Sequence, residues 1–262
     1  MSMPTLGGPL AAEVRKARSL SALPWILGAC LLVSLGLAAL TVQADPVGMS
    51  QPVDPGAGTP VALALFAGSS VVPYLAVVMG SGSVTSEFSS GISRVLYAAI
   101  PMRWPIVLSK AVVQAAQAAL LSLATVAAAL VGMRLSRSSA LGALDTTSAA
   151  STAVRMAVAA AAMAVLGVAL GTVLRRGQSA VLGIVLLMVV APILIAPLAG
   201  SVPPLAWVAD LLPMSAVNHL SDLELVTAPT SGRATWVAWS ALAMWSCGAL
   251  AVAVRILNRA DL

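Results

Sequence analysis

The chain has 262 residues, 60% of them apolar and only 9% charged, with 14 Lys and Arg against nine Asp and Glu and a formal net charge of +5. A water-soluble domain carries roughly 25% charged residues, and a core of this size cannot bury so much Ala, Val and Leu without leaving large apolar patches in water. Lipid is therefore the solvent for most of the protein, and a disordered chain, a collagen-like repeat, a disulfide scaffold and a nucleic-acid binder are excluded.

The charges are segregated. No Asp, Glu, Lys or Arg occurs in 19–44, 55–86, 111–133, 156–174, 177–209 or 234–254, and a membrane-crossing helix needs about 20 such residues. A β-barrel would alternate apolar and polar positions instead. The windows predict one all-α, polytopic membrane domain with six transmembrane helices near 22–42, 61–81, 108–132, 154–174, 178–199 and 234–254.

In chain order, residues 11–20 (AAEVRKARSL) put Val14 and Ala17 on one side of a helix and Glu13, Arg15 and Lys16 on others. Such a segment serves either as an amphipathic helix along the inner leaflet or as a simple basic anchor. The first apolar run ends in a Val42-Gln43-Ala44 string that resembles a signal-cleavage site. It is longer than the 7–15 residues of a signal h-region, so retention is expected. Residues 43–60 carry four prolines and three glycines and read as an irregular outer loop. On the second span Phe66, Ser70 and Tyr74 recur at i, i+4, i+8 and share a face, which suits a pathway lining or ordinary packing. Gly80-Ser81-Gly82-Ser83 reads as a flexible helix end.

The segment 83–105 is predicted to be cytoplasmic. Glu87 is expected near the start of a short helix, where the backbone dipole favours a carboxylate. Arg94 would share its face if that helix were continuous, Gly91 permits a bend, and Pro101, Arg103 and Pro105 precede the next span. This segment is either a docking surface or a loop anchored to headgroups. Lys110 and Arg155 fall at helix ends, where long side chains can reach headgroups. Gln114 and Gln117 are the most prominent polar residues within the spans, suited to interhelical hydrogen bonds or to substrate contact. Gly167-x-x-x-Gly171 signals close helix approach. Arg175-Arg176-Gly177-Gln178 makes a tight inner turn, and 200–233, with Pro203, Pro204 and Pro213, predicts short interfacial or re-entrant helices.

With both termini inside, ten basic residues lie on the cytoplasmic side and four outside, while six of the nine acids lie outside, as retention of Lys and Arg in cytoplasmic loops requires. The basic balance is thus membrane topology. Trp25, Trp104, Trp236 and Trp239 sit at span boundaries, the interfacial preference of indole; Trp245 is the exception.

No window holds Asp, Glu, His, Lys or Arg, the groups through which ion-driven transporters sense protons or sodium. No G-x-x-x-x-G-K-[ST], H-E-x-x-H or G-x-S-x-G string occurs, so no catalytic or metal-ligating residues are expected and any nucleotide must bind a partner. Two other classes are a non-transporting membrane scaffold or sensor, and an intramembrane enzyme using Ser81, Ser83 or His219.

Three strings resemble the membrane subunit of a bacterial ABC-2-type transporter, over essentially the whole chain. They are Glu13-Val14-Arg15-Lys16-Ala17-Arg18-Ser19 followed by Trp25; Thr85-Ser86-Glu87-Phe88 with Gly91, Arg94, Pro101, Arg103 and Lys110; and the basic tail from Arg255 to Leu262, with Ala260 where a second basic residue is often found. The resemblance implies a permease in the bacterial plasma membrane without its own ATPase. It would pair with a second permease subunit, identical or paralogous, and with two copies of a separate ATPase that binds ATP and Mg. It implies a connecting helix over 11–20 (Glu13, Lys16, Arg18) and a coupling helix around 85–104 (Glu87, Gly91, Arg94, Pro101, Arg103). Helices two and five would flank the pathway. The charge-free spans suit a hydrophobic or amphipathic cargo, drug, peptide or lipid, exported by alternating access. Two Lys against 12 Arg suggests a GC-rich bacterial genome.

Overall fold

The structure, a computed structural model, describes residues 7–19, 27–36, 71–92, 104–135, 146–199, 201–221 and 235–259. Every regular element among the described residues is helical: α1 (Gly7–Ser19), α2 (Leu27–Gly36), α3 (Val72–Ser89), α4 (Trp104–Leu135), α5 (Thr146–Leu174), α6 (Gly177–Ala199), α7 (Pro203–Leu211), α8 (Pro213–Leu220) and α9 (Thr235–Arg259). Four of them contain stretches long and apolar enough to cross a membrane, Trp104–Gly132, Ala150–Leu174, Gly177–Ala199 and Thr235–Arg259. The protein is thus an all-α, multi-pass membrane protein. The expected spans 22–42 and 61–81 lie only partly within the described residues, as α2 and the first half of α3.

The helix boundaries follow local chemistry. α3, α7 and α8 carry Pro in their first turn, where the missing N–H is not needed. α3 ends where Ser89 and Ser90 turn their hydroxyls back onto the carbonyls of Ser86 and Glu87. Gly91 then adopts φ +74°, a conformation that side-chain-bearing residues rarely take. Two residues, Arg175 and Arg176, join α5 to α6, as the predicted tight turn requires.

α5 is the central helix: α3 and α4 pack along it, and α6, α8 and α9 also touch it. The crossing with α3 depends on glycine. A Cβ on Gly167 would overlap the backbone carbonyl of Val77, one on Gly80 that of Ala164, and one on Gly171 would lie 2.7 Å from Ser81 O. Lipid supplies no hydrophobic drive between helices, so small residues that let backbones approach are what packing relies on. Gly167-x-x-x-Gly171 therefore acts as expected. Gly80–Ser83 does not: this run lies inside α3, because Gly80 is needed for the crossing and the Ser81 and Ser83 hydroxyls donate to carbonyls three residues back. The helix consequently runs to Ser89, past the boundary of the expected span.

Two helices contain π-turns, Leu186–Val190 in α6 and Met244–Gly248 in α9. In α9 the Ser246 hydroxyl donates to Leu242 O at 2.6 Å, and the Trp245 indole N–H donates to Leu211 O at 2.7 Å. That bond explains why Trp245 departs from the interfacial pattern, since its polar edge satisfies a carbonyl at the end of α7. The segment expected to hold short helices does so, as α7 and α8. Met214, Val217 and Leu220 of α8 are buried in one core with Ala159, Ala160 and Met163 of α5.

Candidate functional site

The two buried charged residues among those described, Lys110 and Glu87, meet the partly exposed Glu13 and Lys16 where α1, α3 and α4 converge. Lys110, two turns into α4, is 1% exposed. Its ammonium donates to Glu13 Oε1 at 2.6 Å and Glu87 Oε1 at 2.5 Å, and Lys16 donates to the same Glu87 oxygen at 2.5 Å. Two ammonium groups and two carboxylates make a neutral quartet, which pairs the buried charges of Lys110 and Glu87 as burial demands while the Lys16 side chain stays 41% exposed at its edge. Sequence separations of 71, 97 and 23 residues close it.

Local structure positions each member. Glu13 and Lys16 are three apart on α1 and so lie on one face. Glu87 is in the last full turn of α3, and Lys110 points back along α4 toward its start, as helical side chains do. Beside the quartet Val84, Ile106, Val107, Ala111, Val168 and Leu257 form an apolar cluster against which Phe88 packs. The Arg175 guanidinium stands 6.0 Å from the centre of the Phe88 ring, a cation–π distance. A compact ammonium with three donors can bridge two carboxylates in this space, where a planar guanidinium would impose its fork geometry.

Burial alone would push the Glu87 carboxyl up, but the charges and hydrogen bonds of Lys110 and Lys16 outweigh it and hold the group below its ordinary 4.5. A carboxylate with a lowered folded-state value stabilises the fold above its unfolded value, and that contribution is lost as pH falls through the folded value. Stability in detergent should therefore be level above pH 4.5 and decline below it. Glu87→Gln should flatten that acid limb; an unchanged limb in a titration from about pH 6 to pH 3 would assign it to other carboxylates.

Several expectations are corrected here. Glu87 is not near a helix start but in the final turn of α3, where lysines rather than the backbone dipole neutralise it. α3 ends at Ser89, so no continuous helix carries Glu87 and Arg94 on one face. Lys110 does not reach toward headgroups; it is buried because two carboxylates meet it inside the bundle. α1 begins at Gly7 rather than at residue 11, and its Glu13 and Lys16 face the bundle. Arg18 falls in its last turn.

Of the other candidates, Gly91 forms the bend after α3. Tyr74 is half-buried and packs against the large core. Gln114 and Gln117 are half-buried on α4. Phe66, Ser70, Arg94, Pro101 and Arg103 lie outside the described residues. Lys110 stands in the second string of the resemblance but not among the expected coupling residues, so its place in the site was missed. A signal for it exists: the chain's two lysines, among 14 basic residues, are both in the quartet. Among the described residues no group of three or more His, Cys, Asp or Glu could hold a metal ion.

The sequence matches no protein-family model and no curated protein.

Proposed function

We propose that the chain is the permease subunit of an ATP-driven exporter of the ABC-2 type, working with a separate ATPase and a second permease subunit. The observation that carries the reading is the quartet, because it joins the three segments that such a machine must move together. These are the N-terminal helix, the inner end of α3 that leads into the coupling segment, and the start of α4. In this reading Glu87 is an anchor rather than a docking contact. Force delivered to the segment after Ser89 reaches α1 and α4 through two lysines, without passing through the lipid-exposed faces.

The spans are six and both termini are cytoplasmic, in the plasma membrane of a bacterium. Nucleotide closure of the ATPase pair displaces the coupling segment around Gly91 and Arg94, and the helices continuous with it change their opening. The cargo is hydrophobic or amphipathic, since the charge-free windows offer an ionic cargo no fixed counter-charge.

Purification in mild detergent should bring down an ATP-hydrolysing protein of separate sequence at one-to-one stoichiometry. In liposomes containing both, Glu87→Gln combined with Arg94→Ala should cut ATP-driven export by about 5- to 150-fold, the usual range of a coupling energy, with the partner still bound. Normal export by that variant, or pumping by the purified chain alone, refutes the assignment.

A further inference from the structure

Arg175, between α5 and α6, has φ +54°, and among the described residues it is the one non-glycine with a positive φ. The Arg176 N–H donates across it to Leu174 O at 2.7 Å, so the joint between the two helices is a γ-turn of the positive-φ kind, which is rare and strained. Glycine adopts such a backbone without steric penalty, yet the nearest glycine stands two residues later. A Cβ on Gly177 would meet only Thr85 Oγ1 within 4 Å, at 3.9 Å, so no close packing requires glycine there. The position whose backbone favours glycine carries an arginine instead.

Strain of this kind persists where the surroundings impose it. The Arg175 guanidinium stands 6.0 Å from the centre of the Phe88 ring, and that ring is seated against the apolar cluster of Ile106, Val107, Val168 and Leu257. Arg175 is half-buried, whereas Arg176 beside it is exposed. The contact matters most for α6. Of the four membrane-crossing stretches it is the least buried, and its contacts with α3 and α5 fall mainly in its first half, Gly177–Val185. With few side chains to fix its direction, the backbone angle at residue 175 sets it.

We propose that Arg175 and Phe88 form a latch: their contact holds the α5–α6 joint in a backbone state that is unfavourable in itself, and its release lets α6 swing about residue 175. Phe88 follows Glu87, so a movement of the end of α3 that withdraws the ring frees the joint. The latch requires only the geometry of the three helices and is independent of the exporter reading.

Hydrogen exchange of the full chain in detergent tests it, read at the Arg176 and Ala180 amides, whose bonds to Leu174 O and Arg176 O close the joint. Residues 175 and 176 lie between the two membrane-crossing stretches, so water reaches them. Arg175→Met keeps the strain and removes the latch; exchange should become about 2- to 30-fold faster than in wild type, the range a cation–π contact supports. Phe88→Leu should act alike, and Phe88→Trp, which offers the better ring face, should keep the wild-type rate. Arg175→Gly removes strain and latch together, so exchange should stay at the wild-type rate, and adding Phe88→Leu to it should change nothing. Arg176→Met, an equal loss of charge on the exposed neighbour, should leave the Ala180 amide unaffected. A wild-type rate in Arg175→Met overturns the proposal by making the contact incidental. So does an Arg175→Gly joint as loose as that of Arg175→Met, because strain would then not be what the latch opposes. An equal effect of Phe88→Leu with and without Arg175→Gly also overturns it, by assigning the effect to packing of the ring alone.

Discussion

Lys110→Ala is expected to be among the most destabilising substitutions in the protein, at about 3–5 kcal/mol, because removing one partner of a buried ion pair leaves uncompensated charge behind. Glu13, with its side chain 15% exposed, would then lose the ammonium it accepts from, and Glu87, 10% exposed, would keep that of Lys16. Lys110→Arg should also be damaging, since the guanidinium is larger and planar. The decisive comparison is Lys110→Met combined with Glu87→Gln. That double variant keeps the quartet neutral, with Glu13 and Lys16 as its remaining charges, and replaces the buried charges with groups of similar length. It should be more stable than Lys110→Met alone, a non-additivity expected only of residues in direct contact. Unfolding titrations in detergent measure this, and additive losses would mean that the quartet does not act as a unit.

Gly167→Ala is the second large effect. A methyl group there meets the Val77 backbone carbonyl, which is held by its own helix and cannot rotate away. The cost should reach the upper part of the about 1–3 kcal/mol typical of overpacking, and α3 should move off α5. Gly80→Ala should behave alike, with Gly171→Ala milder at 2.7 Å from Ser81 O. Two controls set the scale. Gly183→Ala meets only the flexible end of Leu174, at 3.2 Å, and Gly82→Ala meets nothing within 4 Å. Gly82→Ala should be neutral or stabilising by up to about 1 kcal/mol, the helix-propensity difference. Thermal unfolding of the five variants in one detergent gives the order; if Gly82→Ala costs as much as Gly167→Ala, the crossing does not depend on these contacts.

The two effects are linked through α3. The glycine crossing sets the height and rotation of that helix against α5, and so places Glu87 at its C-terminal end within reach of Lys16 and Lys110. A shift of α3 by even one residue's rise, about 1.5 Å, would draw the carboxylate out of hydrogen-bond range of one lysine. Destabilising the crossing should therefore also loosen α1.

What could be read from the residues was whatever depends on composition along the chain. The charge-free windows locate α4, α5, α6 and α9 because lipid forbids unpaired charge irrespective of which helices touch. The Arg175–Arg176 turn, the paired glycines of α5 and the proline-marked short helices α7 and α8 are equally local, since each depends on backbone geometry within a few residues. The resemblance named Glu13, Lys16, Glu87 and Lys110 in separate strings without joining them. Their pairing, the displacement of Glu87 from a helix start to a helix end, and the burial of Lys110 depend on contacts across 23 to 97 residues. A one-dimensional pattern of charge carries no term for such contacts: a lysine beside an apolar window reads the same whether water, headgroups or two carboxylates receive it. Only the packing of α3 on α5, set by three glycines, determines which.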